Sequence, residues 1–185
     1  MEPSKVEAIE FEYERHGTQT LIANFEVATG KVICPSIGDT RTEEDFVKHI
    51  RATVETDVQG EWIFICDQLN THQSESLVRA ITELCALELE LGKTGHSGIW
   101  RNMTSRAAFL QDDSHRIRLV YTPKHCSWLN QVEMWFSIWT RRLLKRGNFK
   151  STEQLKQRIL AFIECFNQTH AKPFRWTYIG KPLLT

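Results

Sequence analysis

Residues 121–136, Tyr-Thr-Pro-Lys-His-Cys-Ser-Trp-Leu-Asn-Gln-Val-Glu-Met-Trp-Phe, run from an apolar strand through a proline turn into an aromatic helix. They place one carboxylate, Glu133, early on that helix. A second carboxylate, Asp67, ends another apolar stretch, Trp62-Ile63-Phe64-Ile65-Cys66. At the carboxyl end of a strand in an α/β sheet, a side chain emerges where such folds place their ligands. Two divalent ions about 3.5–4 Å apart can activate an attacking oxygen and stabilise a leaving one in phosphoryl transfer. Magnesium and manganese are held by carboxylate oxygens, so Asp67 and Glu133 suit that chemistry. Each acid also has a plain structural use: Asp67 as the cap of a following helix, and Glu133 as compensation for a helix dipole.

Working outward, the pattern predicts an α/β domain. Leu21, Ala23, Phe25 and Val27 alternate with polar residues from Thr18 onward, which is strand periodicity. Residues 28–31 form a turn and Val32–Cys34 return, giving a β-hairpin. Residues 40–54 read as a helix opened by a Thr40–Glu43 capping box, with Phe46, Val47, Ile50 and Val54 as its apolar stripe. The run 61–66 reads as a strand inside a sheet with helices on both faces. Asn70, Thr71 or Ser74 caps the next helix, whose face is Leu77, Ile81, Leu84 and Cys85. Residues 92–115 interrupt the pattern as an inserted excursion, helical around 103–110. Ile117–Tyr121 is a strand. A helix follows from about Asn130 to Lys145, with Leu129, Val132, Phe136, Trp139 and Leu143 as its buried stripe. A last helix opens at Ser151 with Gln154. Strand, strand, helix, strand, helix, strand and two helices make one mixed sheet covered by helices. The acidic residues 1–16 read as a lead-in.

Composition bounds the rest. A chain of 185 residues holds one domain with a real core. No apolar run approaches the ~20 residues a membrane helix needs, and the first residues lack the pattern of a signal peptide. The five cysteines are scattered without a Cys-x-x-Cys pair, as expected for free thiols in a reducing cytoplasm. Zero net charge conceals a split: residues 1–100 hold 8 Lys and Arg against 18 Asp and Glu, and residues 101–185 hold 15 against 5. Arg141, Arg142, Lys145, Arg146 and Lys150 form a basic strip after Glu133, suited to tracking a phosphate backbone or, equally, to plain solvation. His72 is placed near the site, because imidazole is a poor magnesium ligand. His125 beside Cys126 does not make a hydrolase pair, since adjacent residues point apart. Gly92-Lys93-Thr94-Gly95 lacks the spacing and the preceding strand of a phosphate loop.

Several segments together resemble a known family: Arg15-His16-Gly17-Thr18, Gly30-Lys31-Val32-Ile33, Asp67 with Asn70 and His72, Ser127-Trp128-Leu129-Asn130, Glu133-Met134-Trp135-Phe136, Arg146-Gly147-Asn148-Phe149 and Lys172-Pro173-Phe174-Arg175-Trp176-Thr177. They look like the catalytic domain of bacterial insertion-sequence transposases related to mariner, over about residues 10–181. The resemblance implies a ribonuclease-H-like fold and a D-D-E site. Asp67 matches the second acid and Glu133 the third, with Asn70, His72, Trp128 and Asn130 beside them. It further implies two Mg2+ or Mn2+ ions, and DNA as partner, both element ends and target. The expected setting is the bacterial cytoplasm and nucleoid, and a homodimer is compatible. The family's first Asp lies on a strand before the hairpin, and only Glu2, Glu7, Glu10, Glu12 and Glu14 stand upstream here. Residues 1–185 are thus expected to be one catalytic domain lacking its first strand, with an insertion at about 92–115 that widens the Asp67–Glu133 spacing to 66 positions. Such a fragment is expected to be inactive or nearly so alone. The alternatives are a complete ribonuclease-H-like nuclease, its third acid drawn from Glu10, Glu12 or Glu14, and a DNA-binding module without catalysis.

Overall fold

The computed structural model describes residues 15–123, 130–145 and 147–173. Strands β1 (Thr20–Glu26) and β2 (Lys31–Gly38) form the expected antiparallel hairpin. The register shifts between Ile22 and Asn24, so Ala23 faces the two residues Cys34 and Pro35. Proline cannot donate to a ladder, and bulges are where sheets tolerate it. Cys34 takes up the bend at φ 47°. Gly30 closes the turn at φ 73°, with its α-carbon against the backbone of Lys172.

Helix α1 (Glu43–Val54) starts later than the sequence suggested. Its N-cap is Thr42, with Asp45 completing the box, whereas the sequence pointed to Thr40 with Glu43. The Asp45 carboxylate accepts from the Thr40 hydroxyl at 2.6 Å and from the Thr42 backbone N–H at 2.8 Å. Those bonds hold its carboxyl below the usual range. Strand β3 (Trp62–Cys66) leads through a 3-10 turn, Asn70–Gln73, to α2 (Glu75–Leu84), capped by Ser74. The excursion then folds as a tight hairpin of β4 (Gly92–Lys93) and β5 (Ser97–Gly98), a 3-10 turn at Ile99–Arg101 and helix α3 (Met103–Leu110). Arg79 lies 5.0 Å from the Trp100 ring centroid, fastening this excursion to α2. Strand β6 (Ile117–Tyr121) pairs in parallel with β3, from Trp62 opposite Ile117 to Cys66 opposite Tyr121. Parallel neighbours need a long crossover, which α2 and the excursion supply.

Helix α4 (Gln131–Trp139) continues as a π-helical turn, Thr140–Leu144, rather than as the single regular helix expected. The Lys145 N–H reaches back five residues to the Thr140 carbonyl at 2.9 Å. Helix α5 (Thr152–Thr169) opens at Ser151, whose hydroxyl accepts from the Gln154 N–H.

The expected single mixed sheet is present as three two-stranded pairs among the described residues: β1–β2, β3–β6 and β4–β5. Two apolar cores follow from this split. The first packs α1, α2 and α3 on β3–β6, through Ile50, Val54, Leu77, Ile81, Leu110, Ile117 and Leu119. The second packs α4 and α5 on the hairpin, through Val32, Trp135, Ile159, Ile163 and Phe166. Polar contacts join α1 to the hairpin: Asn24 donates to the Thr53 hydroxyl at 2.7 Å, and the Ser36 hydroxyl lies 2.9 Å from His49 Nδ1. Asn167 of α5 exchanges two hydrogen bonds with the Val32 backbone, at 2.8 and 2.9 Å, and so covers that part of β2.

The prediction that β3 is covered on both faces is corrected. Ile63 and Ile65 are 55% and 51% exposed, and Val120 of β6 is 42% exposed. A continuous apolar run shows that a strand avoids charge, but not whether its second face has a neighbour.

Candidate acidic site and basic groove

Asp67 follows directly on β3, as the sequence suggested. Its Oδ1 accepts from the Leu69 N–H at 3.2 Å, closing a turn of the kind Asp favours. The same oxygen lies 2.8 Å from His72 Nδ1. The Asp67 side chain is 56% exposed and that of His72 17%. Two contacts hold the histidine that sequence patterns did not show. The Phe46 ring lies 4.3 Å from the imidazole between centroids, and the Tyr121 hydroxyl donates to the His72 carbonyl at 2.8 Å. Burial pushes the Tyr121 phenol up, so it remains a donor at neutral pH. Gln68 donates to the Thr122 carbonyl at 3.1 Å, tying the loop after β3 to the end of β6. Asn70 is exposed at the start of the 3-10 turn. Beside Asp67, burial pushes the Cys66 thiol up to about 12, so it stays protonated at neutral pH. Cys34, Cys66, Cys85 and Cys165 are free thiols.

Glu133 sits in the first turn of α4, behind the N-cap Asn130, whose side chain accepts from the Val132 N–H. It is exposed and lines an open cleft of about 390 Å³ with Phe136, Ser137, Thr140, Arg141 and Lys145. Glu133, Ser137, Arg141 and Lys145 step by four along one face of the helix. The predicted basic strip divides here. Arg141 and Lys145 share the cleft with Glu133, whereas Arg142 turns toward α5, its Nη1 2.9 Å from His170 Nε2. Lys150 is exposed before α5. Trp128, His125, Cys126 and Arg146, and with them Glu10, Glu12 and Glu14, lie outside the described residues.

Asp67 has His72 as its neighbour, and Glu133 shares its cleft with Arg141 and Lys145. The described residues contain no cluster of three or more His, Cys, Asp or Glu side chains able to hold a metal. The donor atoms are the right kind for magnesium or manganese, but without such a cluster a two-ion centre is not made up. The described residues alone therefore do not fit that metal site.

A family model, DDE superfamily endonuclease, matches residues 2–156. The chain belongs to the DDE superfamily endonucleases. That span contains Asp67, Glu133 and the basic cleft, and the mixed α/β architecture, with five helices among the described residues, is consistent with the ribonuclease-H-like fold of DDE domains. Domains of this superfamily act on DNA and generally use divalent metals. Neither a curated protein nor a solved structure matches the chain. No helix among the described residues is long and apolar enough to cross a membrane.

Proposed function

We propose that this chain is part of the catalytic domain of a DNA transposase, of the kind carried by bacterial insertion sequences related to mariner. The family match across residues 2–156 carries this reading. Asp67 at the end of β3 and Glu133 in the first turn of α4 are its candidate catalytic and metal-binding acids. Arg141 and Lys145 are the candidate contacts to the phosphate backbone; Arg142, Arg146 and Lys150 extend them. In a complete site two Mg2+ or Mn2+ ions would supply the chemistry of strand cleavage and transfer. The protein's own part is to position DNA by charge. Residues 1–185 act as one domain, and its place of work is the bacterial nucleoid.

A second reading has an observation in its favour. The described residues hold no group of three or more His, Cys, Asp or Glu side chains fit for a metal, which suits a DNA-binding module without catalysis. For both readings the chain alone is expected to bind DNA and not to cleave it. The test pairs two assays on the full chain: nicking of supercoiled plasmid with Mg2+ or Mn2+, and duplex binding across a salt series. No nicking is expected. Each Lys or Arg removed from a phosphate contact lowers the salt slope by about 1, so Arg141→Ala with Lys145→Ala should lower it by about 2. Asp67→Ala and Glu133→Ala should leave binding intact. Nicking that both acid substitutions abolish would show that this chain assembles a working site unaided. An unchanged salt slope in the double variant would remove the basic cleft from the DNA interface.

A further inference from the structure

We infer that the excursion between α2 and β6 carries a second contact to the phosphate backbone of DNA, made by Lys93, His96 and Arg101 on the β4–β5 hairpin and the turn after it. The inference rests on the DNA reading of the α4 cleft and extends it to a separate element.

Charge singles out this segment. Residues 1–90 hold 7 Lys and Arg against 18 Asp and Glu, whereas residues 91–111 hold Lys93, Arg101 and Arg106 and no acid. Glu88 and Glu90 are the last acids before it, and Asp112 is the first after it. The α2 carboxylate that the hairpin touches is already engaged. Glu75 accepts from the Thr94 hydroxyl at 2.8 Å and lies 3.4 Å from Arg106 Nη1. Arg106 is thus an anchor. Lys93, His96 and Arg101 are exposed, and their side chains have no hydrogen-bond or ion-pair partner among the described residues. Such cations are the ones that release counterions when a phosphate backbone arrives.

The excursion is also held in place. Leu91, Ile99 and Trp100 pack against the first core. The Trp100 N–H donates to the Leu91 carbonyl at 3.1 Å, and Arg106 Nε donates to the Gln73 carbonyl at 2.8 Å. A segment fixed this way loses little freedom on binding. Its tip is open: Gly95 turns at φ 74°, and a side chain there would meet nothing within 4 Å. A phosphate can therefore approach the backbone between Thr94 and His96. Gln73 closes the turn that carries His72, the neighbour of Asp67, and Glu75 opens α2 just after it. The excursion is thus tied beside the candidate acid's own loop. A protein partner suits the hairpin less well. Protein interfaces are anchored by large apolar or aromatic side chains, and residues 92–98, Gly-Lys-Thr-Gly-His-Ser-Gly, present none.

The test uses the full chain and a fluorescent DNA duplex across a salt series. Lys93→Ala with Arg101→Ala should lower the salt slope by about 2. Combined with Arg141→Ala and Lys145→Ala, the loss should reach about 4. Both hairpin residues are exposed and unpaired among the described residues, so the melting temperature should stay put. Bound DNA should also shield Lys93 from acetylation, read by mass spectrometry. An unchanged slope in the Lys93 and Arg101 variant, with the α4 variant still showing its own loss, overturns the inference and leaves the α4 cleft as the DNA contact. Lys93 that stays reactive at saturating DNA overturns it as well. If neither pair alters the slope, the DNA reading itself fails and takes this inference with it. Polyglutamate bound as tightly as DNA, and lost in the Lys93 and Arg101 variant, would assign the hairpin to an acidic protein instead.

Discussion

Replacing Trp135 by alanine is expected to melt the hairpin, α4 and α5 while leaving the β3–β6 half folded. Trp135 is 1% exposed. Its ring lies 5.3 Å from Phe136, 6.1 Å from Trp139, 6.4 Å from Phe162 and 6.3 Å from Phe166 between centroids. It is therefore the hub joining α4 to α5, and α4 packs on β1. Truncating a buried tryptophan costs about 3–5 kcal/mol, part lost transfer energy and part cavity. That is a large fraction of a typical domain's whole stability of about 5–15 kcal/mol. The loss falls on the second core alone, because its contacts with the first run mainly through α1 and the hairpin's polar pairs. Amide exchange separates the outcomes. Protection should disappear in β1, β2 and α5 and persist at Leu77–Ile81. Equal loss in both halves would show that the two cores fold as one unit. Trp135→Phe should cost much less than the alanine change. It keeps most of the ring contact and removes an indole N–H that is buried with no partner.

The elements were legible where a local signal was unambiguous. Ile117–Tyr121 is the strand expected from its apolar run and its proline stop. Ser151 caps the helix that its spacing announces, and Ser74 is the one of three candidates, Asn70, Thr71 and Ser74, that caps α2. The start of α1 was misplaced because two overlapping boxes, Thr40–Glu43 and Thr42–Asp45, compete in the sequence, and Asp45 can bond both threonines. The π turn after Trp139 left no trace in the periodicity, since one widened turn scarcely disturbs a stripe read over sixteen residues. Pairing between strands distant in sequence was the least legible. Hydrophobicity placed the hairpin and β3 in a sheet, but it cannot say that among the described residues the two pairs stay unconnected. The same limit applies to the site. Asp67 at a strand end and Glu133 in a first helical turn follow from local pattern. The chemistry of imidazole puts His72 near the site rather than in it; the Phe46 and Tyr121 contacts that hold it come from elements 26 and 49 positions away.

Acidification from pH 7.5 to 4 is expected to cost the protein about 3 kcal/mol through His49 alone. This residue is 1% exposed on α1, with its Nδ1 2.9 Å from the Ser36 hydroxyl and its Nε2 buried without a partner. Burial penalises the imidazolium and pulls its pKa from 6.5 down to about 4. The sign follows from proton counting. Between those two values the unfolded chain holds a proton on this histidine and the folded protein does not. Stability therefore rises with pH across the window: it is complete above about 6.5 and is lost as pH falls toward about 4. At about 1.4 kcal/mol per pKa unit the whole window is worth about 3 kcal/mol, of which about 2 is gone by pH 5. His49→Gln isolates this contribution, because glutamine can still accept from Ser36 and does not titrate. Urea unfolding of both proteins at pH 7.5 and pH 5 is the measurement. The difference between them should shift by about 2 kcal/mol in favour of the variant at pH 5. Parallel loss of stability in the two proteins would mean that His49 is hydrated or paired in solution, and that α1 and the hairpin do not close over it.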